Sequence, residues 1–305
     1  MQPLFNEHKQ KIISTAIVTI GAFLGFEILA YILERTYQLS IFTSVALYVY
    51  AFHFFWLTFL FDLQLKKRGV IANLSLDHKG WRLIARAFRD RVQHVFKWTY
   101  FRHYLNFLIM PGMIYWSVIL LMSIDPFNND LIQTIIVLST LAMAVIYWYL
   151  KDSLSKNFET HYLGIKTLIV VKVFSAFLVY SALVGYTFYF GLSVGFMFLS
   201  IFVATFLIIY QALFQHRLWN FTRLWPVLGI SILVAAVSFW IYQVWDYSYL
   251  MAALVLVSLY NTCWGILHHY LDNNLTRRLA AEYLLLLFVI LSVLLAGHNF
   301  NPRIQ

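Results

Sequence analysis

Long apolar runs alternate with short polar ones from one end of the chain to the other. Nine runs stand out: Ile12–Leu33, Ile41–Leu63, Phe107–Met122, Leu131–Leu150, Thr167–Phe188, Leu192–Phe214, Pro226–Trp245, Leu250–Tyr270 and Ala280–Gly297. A hydrocarbon layer about 30 Å thick is crossed by roughly 20 helical residues, and the runs are close to that length. They are apolar on every side, as in Leu284–Leu295, whereas barrel strands alternate lipid-facing and lumen-facing residues over about ten positions. Helices and closed barrels alone satisfy the backbone inside lipid. The pattern therefore predicts an all-α polytopic transmembrane helix bundle of about nine spans. The fifth and sixth runs are separated only by Tyr189, Phe190 and Gly191, but their 48 residues are too many for one crossing. The ninth contains Glu282.

Lys9 and Lys11 precede the first run, as in a signal peptide. The run itself, at 22 residues, exceeds an apolar signal core of about 7–15, and no A-x-A-like cleavage site follows. A retained first span is expected.

The polar segments carry a strong charge asymmetry. The segment between the second and third runs holds ten basic residues, Lys66, Lys67, Arg68, Lys79, Arg82, Arg86, Arg89, Arg91, Lys97 and Arg102. Lys9 and Lys11, then Lys151, Lys156 and Lys166, then Arg217 and Arg223, then Arg277 and Arg278 fall on the same side if the chain crosses nine times. Of the 22 Lys and Arg, only Arg35 and Arg303 fall on the other side, and Lys172 lies inside the fifth run. Basic residues in short loops mark the cytoplasmic face, so the N-terminus is expected in the cytoplasm and the C-terminus outside. The sequons at Asn73, Asn220 and Asn274 then all face the cytoplasm. Short loops and this bias fit a bacterial inner (plasma) membrane.

Composition agrees. Hydrophobic residues make up 62% and charged residues 11%, against about 25% charged in soluble domains. The 28 Phe and 20 Tyr suit a lipid-facing exterior with aromatic belts. Cys263 is the one cysteine, which excludes an intrachain disulfide. A single integral membrane domain over residues 1–305 is expected, with a cytoplasmic basic loop at 64–106.

Within that loop Trp81, Ile84, Ala85, Phe88, Val92, Val95 and Phe96 recur at helical spacing, with Arg82, Arg86, Arg89, Gln93 and Lys97 opposite. A basic amphipathic helix lying in the headgroup layer is expected, its cations meeting anionic lipid. No nucleic-acid-binding module accompanies the charges, so membrane lipid is the expected partner and nucleic acid is not.

Ionisable groups within the apolar runs are the first candidates for function. These are Glu27, His53, Asp62 and Lys172. Lys172 and Glu27 differ in depth by roughly 15 Å at 1.5 Å per residue, so Asp62 is the better expected partner for Lys172. The densest polar group closes the eighth run, where Asn261, Gly265, His268 and Asp272 follow on one helical stripe. His268 and Asp272 are one turn apart and can touch. Asp272 can orient His268 as a general base, or both can ligate a Zn or Fe ion. His103 is a candidate third ligand, since His-Tyr-Leu recurs at His103, His161 and His269, each near an expected cytoplasmic boundary. Rings with an apolar body and a polar tip also suit that boundary without any ligand.

Membrane-bound desaturases and hydroxylases are similar in gathering histidines on the cytoplasmic face, in repeated HxxxH and HxxHH boxes. Here His268-His269 is the only adjacent pair and no HxxHH occurs, so no residue is carried over. No GxxxxGK[ST] phosphate loop and no GxSxG elbow is present. Three functions remain open: an enzyme acting on a lipid-like substrate at the cytoplasmic leaflet through His268 and Asp272, joined by His103, His161 or His216; a transporter or channel using Glu27, His53, Asp62 and Lys172; and a structural subunit of a membrane complex.

The topology is directly testable. In a Cys263→Ser background, a cysteine at Gln305 is expected to react with a membrane-impermeant maleimide in intact cells. A cysteine at Lys9 is expected to react only after permeabilisation. The reverse pattern would invert the assignment.

Overall fold

The structure is a computed structural model that describes residues 2–36, 39–66, 89, 98–124, 129–153, 162–215, 221–245 and 248–297. Nine α-helices occur among the described residues: α1 Gln2–Thr36, α2 Leu39–Lys66, α3 Trp98–Ile124, α4 Asn129–Ser153, α5 Tyr162–Tyr189, α6 Val194–Gln215, α7 Leu224–Val244, α8 Tyr249–Leu271 and α9 Arg277–Ala296, with one 3-10 turn at Phe221–Arg223. No strand is found among them, and each expected apolar run corresponds to one helix, three of the runs (Leu192–Phe214, Pro226–Trp245 and Ala280–Gly297) extending one or two residues past a helix end. Seven helices contain segments long and apolar enough to cross a membrane: Thr15–Arg35, Asn129–Tyr149, Thr167–Tyr189, Val194–Leu213, Leu224–Val244, Tyr249–Leu271 and Arg277–Ala296. In α2 and α3 the corresponding described stretches are shorter, Ser40–His53 and Ile109–Ile124. The expected amphipathic helix over Trp81–Lys97 lies outside the described residues, apart from Arg89.

The chain divides into two compact units, one made of Met1–Tyr115 and Pro126–Leu168, the other of Trp116–Asp125 and Ile169–Gln305. In the first, α1 packs on α2 and α4. Val18, Ala22, Phe26, Leu29 and Leu33 form its buried stripe, at the three- and four-residue spacing of a helix face. Its other face, Ile17, Ile20, Leu24, Ile28 and Tyr31, is as apolar but exposed. Such a surface is unfavourable in water and suited to lipid. Tyr115 of α3 ties three helices together. Its hydroxyl donates to the Ala46 carbonyl of α2 at 3.0 Å, and its ring lies 5.4 Å from Phe26 and 5.1 Å from Tyr50.

In the second unit α6 packs along α7, and α8 packs on α7 and α9. Small residues at the buried face of α7, Ser231, Ala235 and Ser238, allow the close approach on which helix association in lipid depends. The α5–α6 connection turns at Gly191, whose φ of +60° suits a residue without Cβ. Tyr242 of α7 donates to the Leu192 carbonyl at 3.1 Å and fixes that turn. Thr205 donates to Ile201 O at 2.7 Å, so the Tyr180 hydroxyl is the donor in the 2.8 Å Tyr180–Thr205 bond between α5 and α6. The two runs are thus two separate helices, as their combined length requires.

Glu282 does not interrupt α9. The helix begins at Arg277, Thr276 caps it by accepting from Leu279 N at 3.2 Å, and Arg278 donates to Glu282 at 3.1 Å one turn on. The carboxylate belongs to the polar entry of the helix. Beyond it no residue of α9 is buried, and Leu284, Leu285, Phe288 and Val293 form its open face.

Glu27, half-buried on α1, accepts a hydrogen bond from Gln133 of α4 at 3.3 Å. Interhelical hydrogen bonds in lipid are worth about 0.6 kcal/mol on average and up to about 1.7. Gln133→Leu is therefore expected to lower the unfolding free energy in detergent by about 0.6–1.7 kcal/mol, and Glu27→Gln by less. An unchanged denaturation midpoint for Gln133→Leu would show that the bond holds nothing together.

Candidate functional site

The polar end of α8 is built by the turn into α9. The Asp272 N–H bonds to the His268 carbonyl, Asn273 N–H to the Tyr270 carbonyl and Asn274 N–H to the His269 carbonyl, at 3.0–3.2 Å. Asn273 has φ of +57°, the left-handed conformation that commonly stops a helix and that Asn tolerates better than most residues. The chain reverses within five residues, and α9 starts against the face of α8 that carries Gly265. A Cβ at Gly265 would run into the Tyr283 ring, so this glycine admits the α9 tyrosine to the end of α8. Gly265, expected as one member of a polar stripe, serves instead as the flat seat of that contact.

His269 is held by both partners. Its Nδ1 lies 2.9 Å from Asn274 Oδ1, an acceptor only, so Nδ1 carries the proton. Its Nε2 lies 3.5 Å from the Tyr283 hydroxyl. The ring is occupied in fastening the turn to α9.

His268 faces elsewhere. Its Nδ1 is 3.5 Å from Asp272 Oδ2 one turn away, with the two side chains 26% and 36% exposed. Its ring lies 5.6 Å from Trp264 and 5.8 Å, edge-on, from His269. Asp272 beside Nδ1 favours the tautomer in which Nε2 bears the lone pair, the arrangement of an oriented general base.

The other face of Trp264 belongs to α5. Lys172, only 4% exposed, places Nζ 5.9 Å from the Trp264 ring centroid. One turn deeper on α8, Tyr260 meets Tyr180 of α5 edge-on at 6.4 Å. The start of α5 therefore runs beside the end of α8, antiparallel. Lys172, Trp264, His268 and Asp272 form a continuous group from the helix interior to its end. Lys172 and His268 are within electrostatic reach of each other. The Tyr260 hydroxyl is buried without a hydrogen-bond partner among the described residues.

Of the residues singled out from sequence, the structure brings together His268, Asp272 and Lys172. Lys172 meets Trp264, and the side chain of its expected partner Asp62 lies outside the described residues, as do those of His103, His161 and His216. His53 lies in the other unit, its ring against Gly21 of α1 and its Nε2 buried without a partner among the described residues. Nδ1 of His268 and Oδ2 of Asp272 are spaced as two ligands of one ion can be, since tetrahedral ligands at about 2.0–2.1 Å sit roughly 3.4 Å apart. Among the described residues, no group of three or more His, Cys, Asp and Glu is placed to hold a metal. Sequence reading missed Asn274 and Tyr283 as the partners of His269. The available signal was a glycine one turn, four residues, before the second histidine of the pair, with a tyrosine as the seventh residue of the next helix.

No protein-family model, no curated protein and no solved structure matches this chain.

Gly265→Ala is expected to displace Tyr283 and loosen His269 while leaving the His268–Asp272 spacing within α8. Overpacking of this kind costs about 1–3 kcal/mol, measurable as a lower melting temperature in detergent. Tyr283→Ala in the same chain should restore most of the loss. Failure of that rescue would refute the contact as the cause.

Proposed function

We propose that the chain is a multi-pass integral membrane enzyme that acts on a lipid-like substrate at the cytoplasmic leaflet, with His268 as general base and Asp272 as the group that orients it. With nine spans and a cytoplasmic N-terminus, the topology that the distribution of basic residues favours, the α8–α9 turn would lie at that leaflet. The observation that carries the reading is the half-buried His268–Asp272 pair at the boundary of an apolar helix. The neighbouring histidine is fastened by Asn274 and Tyr283, whereas His268 is the imidazole that faces a carboxylate. The pair closes an apolar helix with both side chains partly exposed, as a hydrolytic or group-transfer step on a lipid headgroup requires.

The same two side chains support a second role, as two ligands of Zn or Fe, because their 3.5 Å separation fits one ion. That role needs a third ligand, from His103, His161 or His216.

Purified chain incubated with a polar lipid extract is expected to yield a new lipid species by mass spectrometry. His268→Ala should slow its formation about 10²–10⁴-fold, the usual contribution of a general base, and Asp272→Asn by a smaller factor. No product, or equal rates in wild type and His268→Ala, would refute the enzyme reading. Elemental analysis of the same samples separates the two roles. One ion per chain, lost in both variants, assigns the pair as ligands, and a metal-free active wild type assigns it as an acid–base pair.

A further inference from the structure

The feature that the acid–base pair leaves unused is Lys172. It sits five residues inside the apolar segment that starts at Thr167, about 7–8 Å deep at 1.5 Å per residue. A lysine at this depth ordinarily snorkels, lying along apolar surface with its ammonium in water. This one is 4% exposed and lies beneath the Trp264 ring. Among the described residues no carboxylate is within ion-pair distance of it, because Asp272 is engaged by His268 and Glu282 by Arg278. An aromatic face offsets part of the cost of a buried ammonium but satisfies none of its three N–H donors. Charges buried in lipid are ordinarily paired, and an intramembrane cation with no counter-charge among the described residues is a candidate site for an anionic ligand.

We propose that Lys172, Trp264 and His268 form a binding site for a phosphate oxyanion, with the ammonium as counter-charge, the indole as its apolar wall and the imidazole at the mouth. This rests on the proposed lipid enzyme and names its substrate class, an amphiphile with an anionic phosphate headgroup. The placement follows from the packing of α5 beside α8. Lys172 is inward of His268, so a phosphate held by the ammonium presents its ester bonds toward the His268–Asp272 pair. Tyr260, one turn deeper on the same face of α8, adds a buried hydroxyl without a partner among the described residues. Arg277 and Arg278, at the adjoining start of α9, add positive charge to the approach.

The test uses the full delipidated chain in neutral detergent and follows melting temperature against added ligand, which reports affinity through the ligand-linked gain in stability. Dioleoyl phosphatidic acid is expected to stabilise the wild type, and dioleoylglycerol, the same molecule without its phosphate, is expected not to. Lys172→Gln should weaken phosphatidic acid binding at least tenfold, and Lys172→Arg should retain most of it. If Lys172→Gln does not give a monodisperse protein, Lys172→Met and Trp264→Phe carry the same comparison. Inorganic phosphate that reproduces the stabilisation at millimolar concentration assigns the site to the free oxyanion. Phosphate without effect assigns it to the lipid headgroup. Equal stabilisation by dioleoylglycerol, or equal affinity of wild type and Lys172→Gln, overturns the proposal. Lys172-dependent binding without any product in the lipid-extract assay would refute the enzyme and keep the anion site. Product formation with binding that ignores Lys172 would do the reverse.

Discussion

A peptide group inside hydrocarbon has no water to bond to, and this one constraint organises the described structure. It forces every apolar run into a helix, where each N–H and C=O is satisfied within the segment. It also governs the small polar side chains. Thr19, Ser175, Thr187, Thr205, Ser231 and Ser258 return their hydroxyls to carbonyls one turn back, at 2.7–2.8 Å. These donors are satisfied locally, which leaves the Thr205 oxygen free to accept from Tyr180 of the neighbouring helix. Larger polar groups cannot turn back in this way and must find another helix, as Tyr115 does on α2 and Gln133 on Glu27.

Polar groups left over after that accounting acquire interest because of it. Among the described residues, Lys172 has an aromatic face and no counter-charge, and Tyr260 a buried hydroxyl and no bond. Both lie where α5 and α8 meet, and both lie on the interior side of His268. A cation–π contact contributes about 0.5–2 kcal/mol, whereas the effective penalty for burying an ion is several kcal/mol. That gap is the physical argument for a ligand, since an anion drawn to the site would close it.

The helices were legible in the sequence because hydrophobicity along the chain is a one-dimensional property and the lipid constraint acts segment by segment. Even the weakest, α9, was readable, since Glu282 lies within one turn of Arg278. The His268–Asp272 contact was legible for the same reason: spacing along one helix fixes it. Contacts between helices were not. Nothing in the sequence orders which helix stands beside which: depth alone paired Lys172 with Asp62, whose side chain lies outside the described residues, and gave no sign of the Trp264 ring beside the ammonium. Gly265 read as part of a polar stripe because its role depends on Tyr283, eighteen positions away on the next helix.

The turn between α8 and α9 shows how packing turns two equivalent-looking histidines into unequal ones. His268 and His269 are neighbours in sequence, but successive helical residues point about 100° apart. The left-handed Asn273 then returns the chain so that Asn274 and Tyr283 close on His269 alone. His268 is left facing Asp272 and Trp264, and through Trp264 the lysine of α5. In the proposed enzyme, Asp272 at the exposed helix end would orient the base and the Lys172 ammonium in the interior would hold the substrate's negative charge, so the headgroup would approach from the helix end.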